Sequence, residues 1–249
     1  MAIGLAGGVT GPVLYLIREE FGISYTQTGQ LLSIQSLGGI ASMAAMGYLT
    51  GRWGRKAVLM AGGVLLCGGL SGSVLSWDYV SLILFSLLWC VGYGFISVGF
   101  SSMCSDSSGN RGNAMNFLHV YYGIGAVLAP IVSTLCIRFF VNWRTAYIVP
   151  CILSLAVCIL LVSFRSEDGK PKHAVKRPVP VKSLFLWVSG IYAFVYVGIE
   201  MTVQGWLPTF WAETVPRGLV PATLITTFFW VSITAGRYLA GKIADRVGL

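Results

Sequence analysis

Eight long apolar runs, parted only by short polar breaks, constrain this chain more than anything else in it. They fall near residues 1–17, 27–50, 57–76, 79–103, 113–137, 144–164, 184–210 and 220–240. Crossing the hydrocarbon core of a bilayer takes about 20 such residues in a helix. Within lipid every backbone N–H and C=O must be satisfied inside its own segment, so the runs are expected to be helices. Barrel strands would be about 10 alternating residues, a pattern these runs do not have. Charged residues make up 10% of the 249, against roughly 25% in a soluble domain. So few cannot cover a water-facing surface, and the fold class expected is an all-α membrane protein. The first run opens on Met1 without a basic leader or a small-residue cleavage site, unlike a signal peptide. It is also short for a span, so the start of the first helix is expected to lie outside these residues.

The net charge is +8, but the basic residues form no stripe interleaved with aromatics. Nucleic acid is therefore not an expected partner. They gather instead in alternate breaks between the runs. With the first run starting inside, the inner breaks hold Arg52, Arg55, Lys56, Arg111, Arg165, Lys170, Lys172, Lys176, Arg177, Lys182, Lys242 and Arg246. The outer ones hold Arg18, Arg138, Arg144 and Arg217, while Arg237 lies within the eighth run. This is a positive-inside bias; it places both ends of the chain in the cytoplasm, and the expected location is a plasma (inner) membrane. Six cysteines, at positions 67, 90, 104, 136, 151 and 158, lie within or at the ends of apolar runs without CxxC spacing. They are expected to be small buried hydrophobes.

An internal repeat organises the chain. Gly47-Tyr-Leu-Thr-Gly-Arg52-Trp-Gly54-Arg55 closes the second run, and Gly241-Lys-Ile-Ala-Asp245-Arg246-Val-Gly248-Leu249 closes the eighth, 194 residues on. The same offset sets Gly11 opposite Gly205. Runs seven and eight thus repeat runs one and two, and the repeating unit is six helices. Three regions follow: a six-helix half over 1–164, a basic linker over 165–183 and the first two helices of a second half over 184–249. Parallel repeats of this kind are one plan of secondary transporters.

The stretch Gly47–Lys56 resembles the loop motif between the second and third helices of the major facilitator superfamily, matching at Arg52, Gly54, Arg55 and Lys56 and departing at Gly51, where the family usually has aspartate. The second copy keeps that acid as Asp245, followed by Arg246. The resemblance implies a major-facilitator-type bundle in which these loops gate the cytoplasmic side. It also implies twelve helices, so the chain is expected to hold helices 1–8 of a 6+6 repeat. Three further stretches, Gly92–Ser101, Asn116–Gly125 and Tyr196–Thr209, are similar to the fucose/galactose/glucose:proton symporter branch.

Glu200 is the one acid well inside an apolar run, where charge is costly and its presence points to function. Burial favours the neutral carboxyl, which suits proton coupling. Tyr196 and Gln204, one turn before and after it, should share its face. His119 and Asn116 are the corresponding polar pair in the fifth run, expected to face the same cavity and to bind substrate. Gln35 and Trp206 are weaker substrate-binding candidates; Gln30 and Gln35 equally suit interhelical hydrogen bonding. Glycine pairs at positions 4 and 8 and at 7 and 11 favour close packing of the first helix. A metal site is not expected, because no second ligand is correctly spaced from His119. Nor are enzyme motifs, a nucleotide loop or a cofactor. Expected function is ion-driven or facilitated movement of a small polar solute, a sugar above all, with protons and the lipid bilayer as further partners. A drug or metabolite exporter and a non-transporting scaffold or receptor are the alternatives.

Overall fold

The computed structural model describes residues 1–107, 111–163, 183–215 and 221–247, and among them every regular element is helical. The chain runs through α1 (Ala2–Gly8), α2 (Thr10–Phe21), α3 (Tyr25–Trp53), α4 (Arg55–Val74), α5 (Tyr79–Ser107) and α6 (Arg111–Phe140). A 3-10 turn at Trp143–Tyr147 leads into α7 (Ile148–Ser163). Then come α8 (Leu184–Thr214), a second 3-10 turn at Ala222–Leu224 and α9 (Ile225–Val247). Among the described residues α4, α5, most of α6, the Trp143–Val162 stretch and α8 are long and apolar enough to cross a membrane. The 29 residues of α3 would span about 43 Å, but polar residues are spread along it.

The expected first helix is broken. Pro12 cannot donate to the carbonyl of Gly8, and its ring crowds that carbonyl, so regular structure lapses at Val9 between α1 and α2. The motif expected to close the second helix is itself mostly helical: α3 runs on to Trp53, Gly54 turns the chain at φ 82° and Arg55 already opens α4. At the other end of α3, Ser24 and Gln27 form a reciprocal cap. The Ser24 hydroxyl accepts from the Gln27 N–H at 3.2 Å, and the Gln27 side chain accepts from the Ser24 N–H at 2.9 Å. Gly22, at φ 60°, ends α2 in the left-handed conformation. Asp78 caps α5 by accepting from the Ser81 N–H at 2.8 Å, and Ser81 holds its carboxyl below the usual range.

Contacts at the two ends of the bundle show the helices alternating in direction. At one end Arg144 donates to Glu20 at 2.6 Å and to the Ser76 carbonyl at 2.8 Å, which ties the ends of α2, α4 and α6 together. Trp143 also donates to Glu20. At the opposite end Arg55 pairs with Asp106 at 2.6 Å, and Lys56 donates to the Val162 carbonyl at 3.5 Å. The core is built by α1–α7, where Val13, Leu14, Ile17, Leu31, Leu70 and Tyr147 are wholly buried. In contrast, α8 is exposed at every residue from Leu184 to Ile199 and becomes buried only from Glu200 onward.

Glycine sets the closest helix contacts. A Cβ at Gly4 would overlap the backbone of Tyr122, and one at Gly11 the carbonyl of Gln204. The tight contacts are not confined to the first helix, as the glycine pairs suggested. Gly69 lies on the backbone of Trp89 and Phe85, and Gly92 on that of Gly62 and Leu66, so α4 and α5 are equally close. Alternating small residues on two helices rather than on one make this contact, which a search along single helices overlooks. Gly69→Val should cost about 1–3 kcal/mol by overpacking. Gly51→Ala, where nothing lies within 4 Å, should be neutral or slightly stabilising. Unfolding in detergent, followed by circular dichroism, checks both.

Candidate functional site

Where α1, α2 and α3 face α8 lies an open cavity of about 520 Å³, within the usual range for small-molecule sites. Its wall includes Gly7, Thr10 and Gly11 around the break in the first helix. From α3 come Gly29, Ser33, Gln35 and Ser36, and from α8 Thr202, Gln204 and Trp206. None of the residues lining it is charged. The lapse at Val9 therefore lies beside the cavity, where discontinuous helices offer backbone groups to a solute.

The local sequence explains this arrangement. Buried positions of α3 (Thr28, Leu31, Gln35, Gly38, Ser42 and Met46) recur every three to four residues, as one helical stripe does. Gln35 lies on that stripe beside α5 and still reaches the cavity wall. Gln204 is brought in by the close approach of α8 to α2. Gly11 has room only for the backbone of Gln204 and Gly205, with the Gly205 Cα 3.6 Å from where a Cβ would stand. Gly11 and Gly205 are the pair matched by the 194-residue offset, so equal positions of the repeat meet face to face.

Hydrogen bonding separates the wall into satisfied and unsatisfied groups. The Ser33, Ser36 and Thr202 hydroxyls donate to carbonyls one turn back, at 2.8, 2.9 and 2.8 Å. Gln204 Nε2 donates to the Gly7 carbonyl at 3.0 Å. Gln204 Oε1 and Gln35 Nε2 are buried and find no partner among the described residues. The two side chains belong to residues 6% and 9% exposed. A buried amide atom without a partner costs roughly 1–3 kcal/mol, and here one acceptor and one donor are left over on the same cavity wall. Trp206 covers the wall near Gly29 (3.7 Å from its would-be Cβ), and its ring centre lies 6.2 Å from that of Tyr25.

Three of the residues expected at a site, Gln35, Gln204 and Trp206, thus come together. Glu200 is buried one turn from Gln204, off the cavity wall. Tyr93 donates to the Tyr122 hydroxyl at 3.3 Å, and both rings border Gly7. Sequence reasoning missed these tyrosines, which look like ordinary aromatics of an apolar run. Tyr196 does not share the buried face of Glu200: it stacks on Tyr192 in the exposed part of α8. His119 is exposed and does not line the cavity. The described contacts of α1 with α6 reach Tyr122, Gly125, Ala126 and Ala129, and His119 lies one turn beyond them. The Asn116 side chain lies outside the described residues, as do those of Arg237, Asp245 and Arg246.

The gating stretch has a geometry of its own at the far end of the bundle. Gly47 and Gly51 have nothing within 4 Å of a would-be Cβ, Arg52 donates to the Tyr48 hydroxyl at 3.4 Å, and Arg55 and Lys56 bind α5 and α7 as described. At the cavity end a second cluster joins α2, α3 and α8. Arg18 Nη2 donates to Glu213 Oε1 at 2.8 Å, and the Tyr25 hydroxyl donates to Glu213 Oε2 at 2.7 Å. The Arg18 guanidinium also lies 4.1 Å from the Tyr25 ring centre.

Comparison with known proteins agrees with this architecture. The family model described as Major Facilitator Superfamily matches residues 1–249. The 3-(3-hydroxy-phenyl)propionate transporter of Escherichia coli (strain K12) is 26% identical over 93% of this chain and 59% of its own length. The glycerol-3-phosphate transporter of Bacillus subtilis (strain 168) is 26% identical over 98% of this chain and 64% of its own length. The chain thus spans about three-fifths of the length of these relatives. The crystal structure of a D-xylose-proton symporter superposes with a TM-score of 0.72 at 18% identity, covering 98% of this chain and 67% of that one. With a family match over its whole length and a helical bundle of that fold, this chain is an integral membrane protein of the Major Facilitator Superfamily.

Proposed function

We propose that the protein carries a small hydroxyl-bearing solute across a membrane by alternating access, with α1–α7 and α8–α9 belonging to two halves that rock about the cavity. The observation that carries this reading is the pair of orphaned amide atoms on the cavity wall, Gln35 Nε2 and Gln204 Oε1. A hydroxyl can accept from the first or donate to the second, so amides of this kind suit a polyol such as a sugar. Trp206 offers an aromatic face beside them. The contact of Gly11 with Gly205 supports the two-half arrangement, because positions equal under a twofold repeat meet near its axis. In this reading the Arg18 end of the bundle is outside and the Arg55 end is in the cytoplasm, as the positive-inside count requires.

Glu200 is the proton-coupling residue of this proposal. Its support is position: it is buried in α8 one turn from the solute-binding amide. A second reading, an acidic solute, is favoured by the names of the two relatives, a 3-(3-hydroxy-phenyl)propionate transporter and a glycerol-3-phosphate transporter. That none of the described residues lining the cavity is charged favours the neutral solute. A scaffold without transport would show no solute-dependent stabilisation.

A thermal-shift comparison of neutral hexoses with hexuronic acids on the intact protein tests the solute class. Hexoses should raise the unfolding temperature, and stabilisation by the acids alone would favour the second reading. Gln204→Ala should weaken binding about tenfold, the equivalent of ~1.4 kcal/mol, by removing the orphaned acceptor. Unaltered affinity in that variant would remove the amide pair from the site. In proteoliposomes, Glu200→Gln should abolish accumulation driven by a proton gradient while leaving solute exchange intact. Accumulation at the parent level would mean that this carboxyl is structural.

A further inference from the structure

We infer that Arg18, Tyr25 and Glu213 form the outer gate of the cavity and that the structure is its closed state, open toward the Arg55 end. This inference rests on the transporter reading above and adds to it the residues that decide which side the cavity opens to. They join three elements from opposite sides of the cavity: Arg18 ends α2, Tyr25 begins α3 and Glu213 lies in the last turn of α8. Both oxygens of the Glu213 carboxylate are engaged, one by Arg18 at 2.8 Å and the other by Tyr25 at 2.7 Å. Beneath them Tyr25 packs on Trp206, which lines the cavity. Tyr25, itself half exposed, thus links the ion pair to the Trp206 ring, and Trp206 lines the cavity.

The rest of α8 fits a barrier at this end alone. Its buried residues (Glu200, Gln204, Gly205, Pro208 and Thr209) all lie in the half that leads to Glu213. In that half Gln204 also reaches the Gly7 carbonyl, at 3.0 Å. Further from the gate, Leu184 to Ile199 are exposed without interruption, and a Cβ at Gly190 or Gly198 would meet nothing within 4 Å. Thus α8 leans on α2 near Glu213 and parts from the first-half helices toward the other end. Arg18 and Glu213 remain 28% and 36% exposed at their side chains, so water can reach the pair and exchange for it when the two helices separate. By contrast Glu20 pairs with Arg144 within α1–α7, where no separation is required.

The test reads access without depending on transport. Ser36→Cys puts a thiol on the cavity wall of the intact protein in right-side-out vesicles, and a membrane-impermeant maleimide is added from outside. Peptide mass spectrometry scores modification at position 36 alone, so the native cysteines stay in place. The gate predicts slow labelling with Arg18 and Glu213 present, and a rise of roughly two- to fivefold in Arg18→Gln or Glu213→Gln, the range set by an ion pair partly in water. Tyr25→Phe, which keeps the ring and loses one hydrogen bond, should give a smaller rise. The exchanged pair Arg18→Glu with Glu213→Arg should return labelling toward the parent rate, which a merely damaged fold would not do. Fast labelling in the parent, or rates unmoved in both single variants, would overturn the gate. Gated labelling in a protein that no solute stabilises would leave the gate standing and defeat the solute reading instead.

Discussion

Close approach of backbones is the interaction on which this structure depends. In lipid no hydrophobic force draws one apolar helix to another, so contact has to come from packing and from the few polar groups the helices share. At Gly4, Gly11, Gly69 and Gly92 the missing side chain is replaced by the main chain of a neighbouring helix. The contact of Gly11 with Gln204 and Gly205 does more than hold two helices together. It sets the distance between α2 and α8, and with it the position of every cavity residue that α8 contributes. A cavity made by two helices in such contact has little room to reshape except by moving one helix as a body.

Much of the fold was legible because hydrocarbon leaves few options. Apolar runs of sufficient length had to be helices, and among the described residues each expected run falls on helix, the first divided at Val9. What the runs concealed was local. Pro12 reads as one more small residue of an apolar stretch until its missing N–H is set against the carbonyl of Gly8, and only then does the break at Val9 follow. Gln35, Gln204 and Trp206 were visible as polar or amphipathic residues where lipid should be, and their convergence agrees with the rule that such groups face inward. His119 does not follow that rule in the structure: it is exposed and lies one turn beyond the α6 residues that meet α1. Tyr93 and Tyr122 could not be singled out, because a tyrosine in an apolar run announces neither its hydroxyl's partner nor the helix it meets.

Two arginine–glutamate pairs at the same end of the bundle illustrate how context divides like chemistry. Arg144 and Glu20 belong to a cluster that includes Trp143, the Ser76 carbonyl and the rings of Trp143 and Phe21 beneath the guanidinium. Many partners held at once make such a cluster a staple. Arg18 and Glu213 have fewer partners, and Arg18 is more exposed at its side chain than Arg144, 28% against 16%. An exposed pair is worth about 0–1 kcal/mol, small enough for thermal motion to break and re-form it. The stronger cluster lies within one set of helices and the weaker between two.

The hydrogen bond from Gln204 to Gly7 has a consequence for how such a protein changes over generations. Its acceptor is a main-chain oxygen, and no codon at position 7 removes it. The donor is a side chain that a single substitution can lengthen, shorten or discharge. Diversification of what the cavity recognises is therefore asymmetric: one wall is anchored in the peptide backbone, and the opposite wall is free to vary.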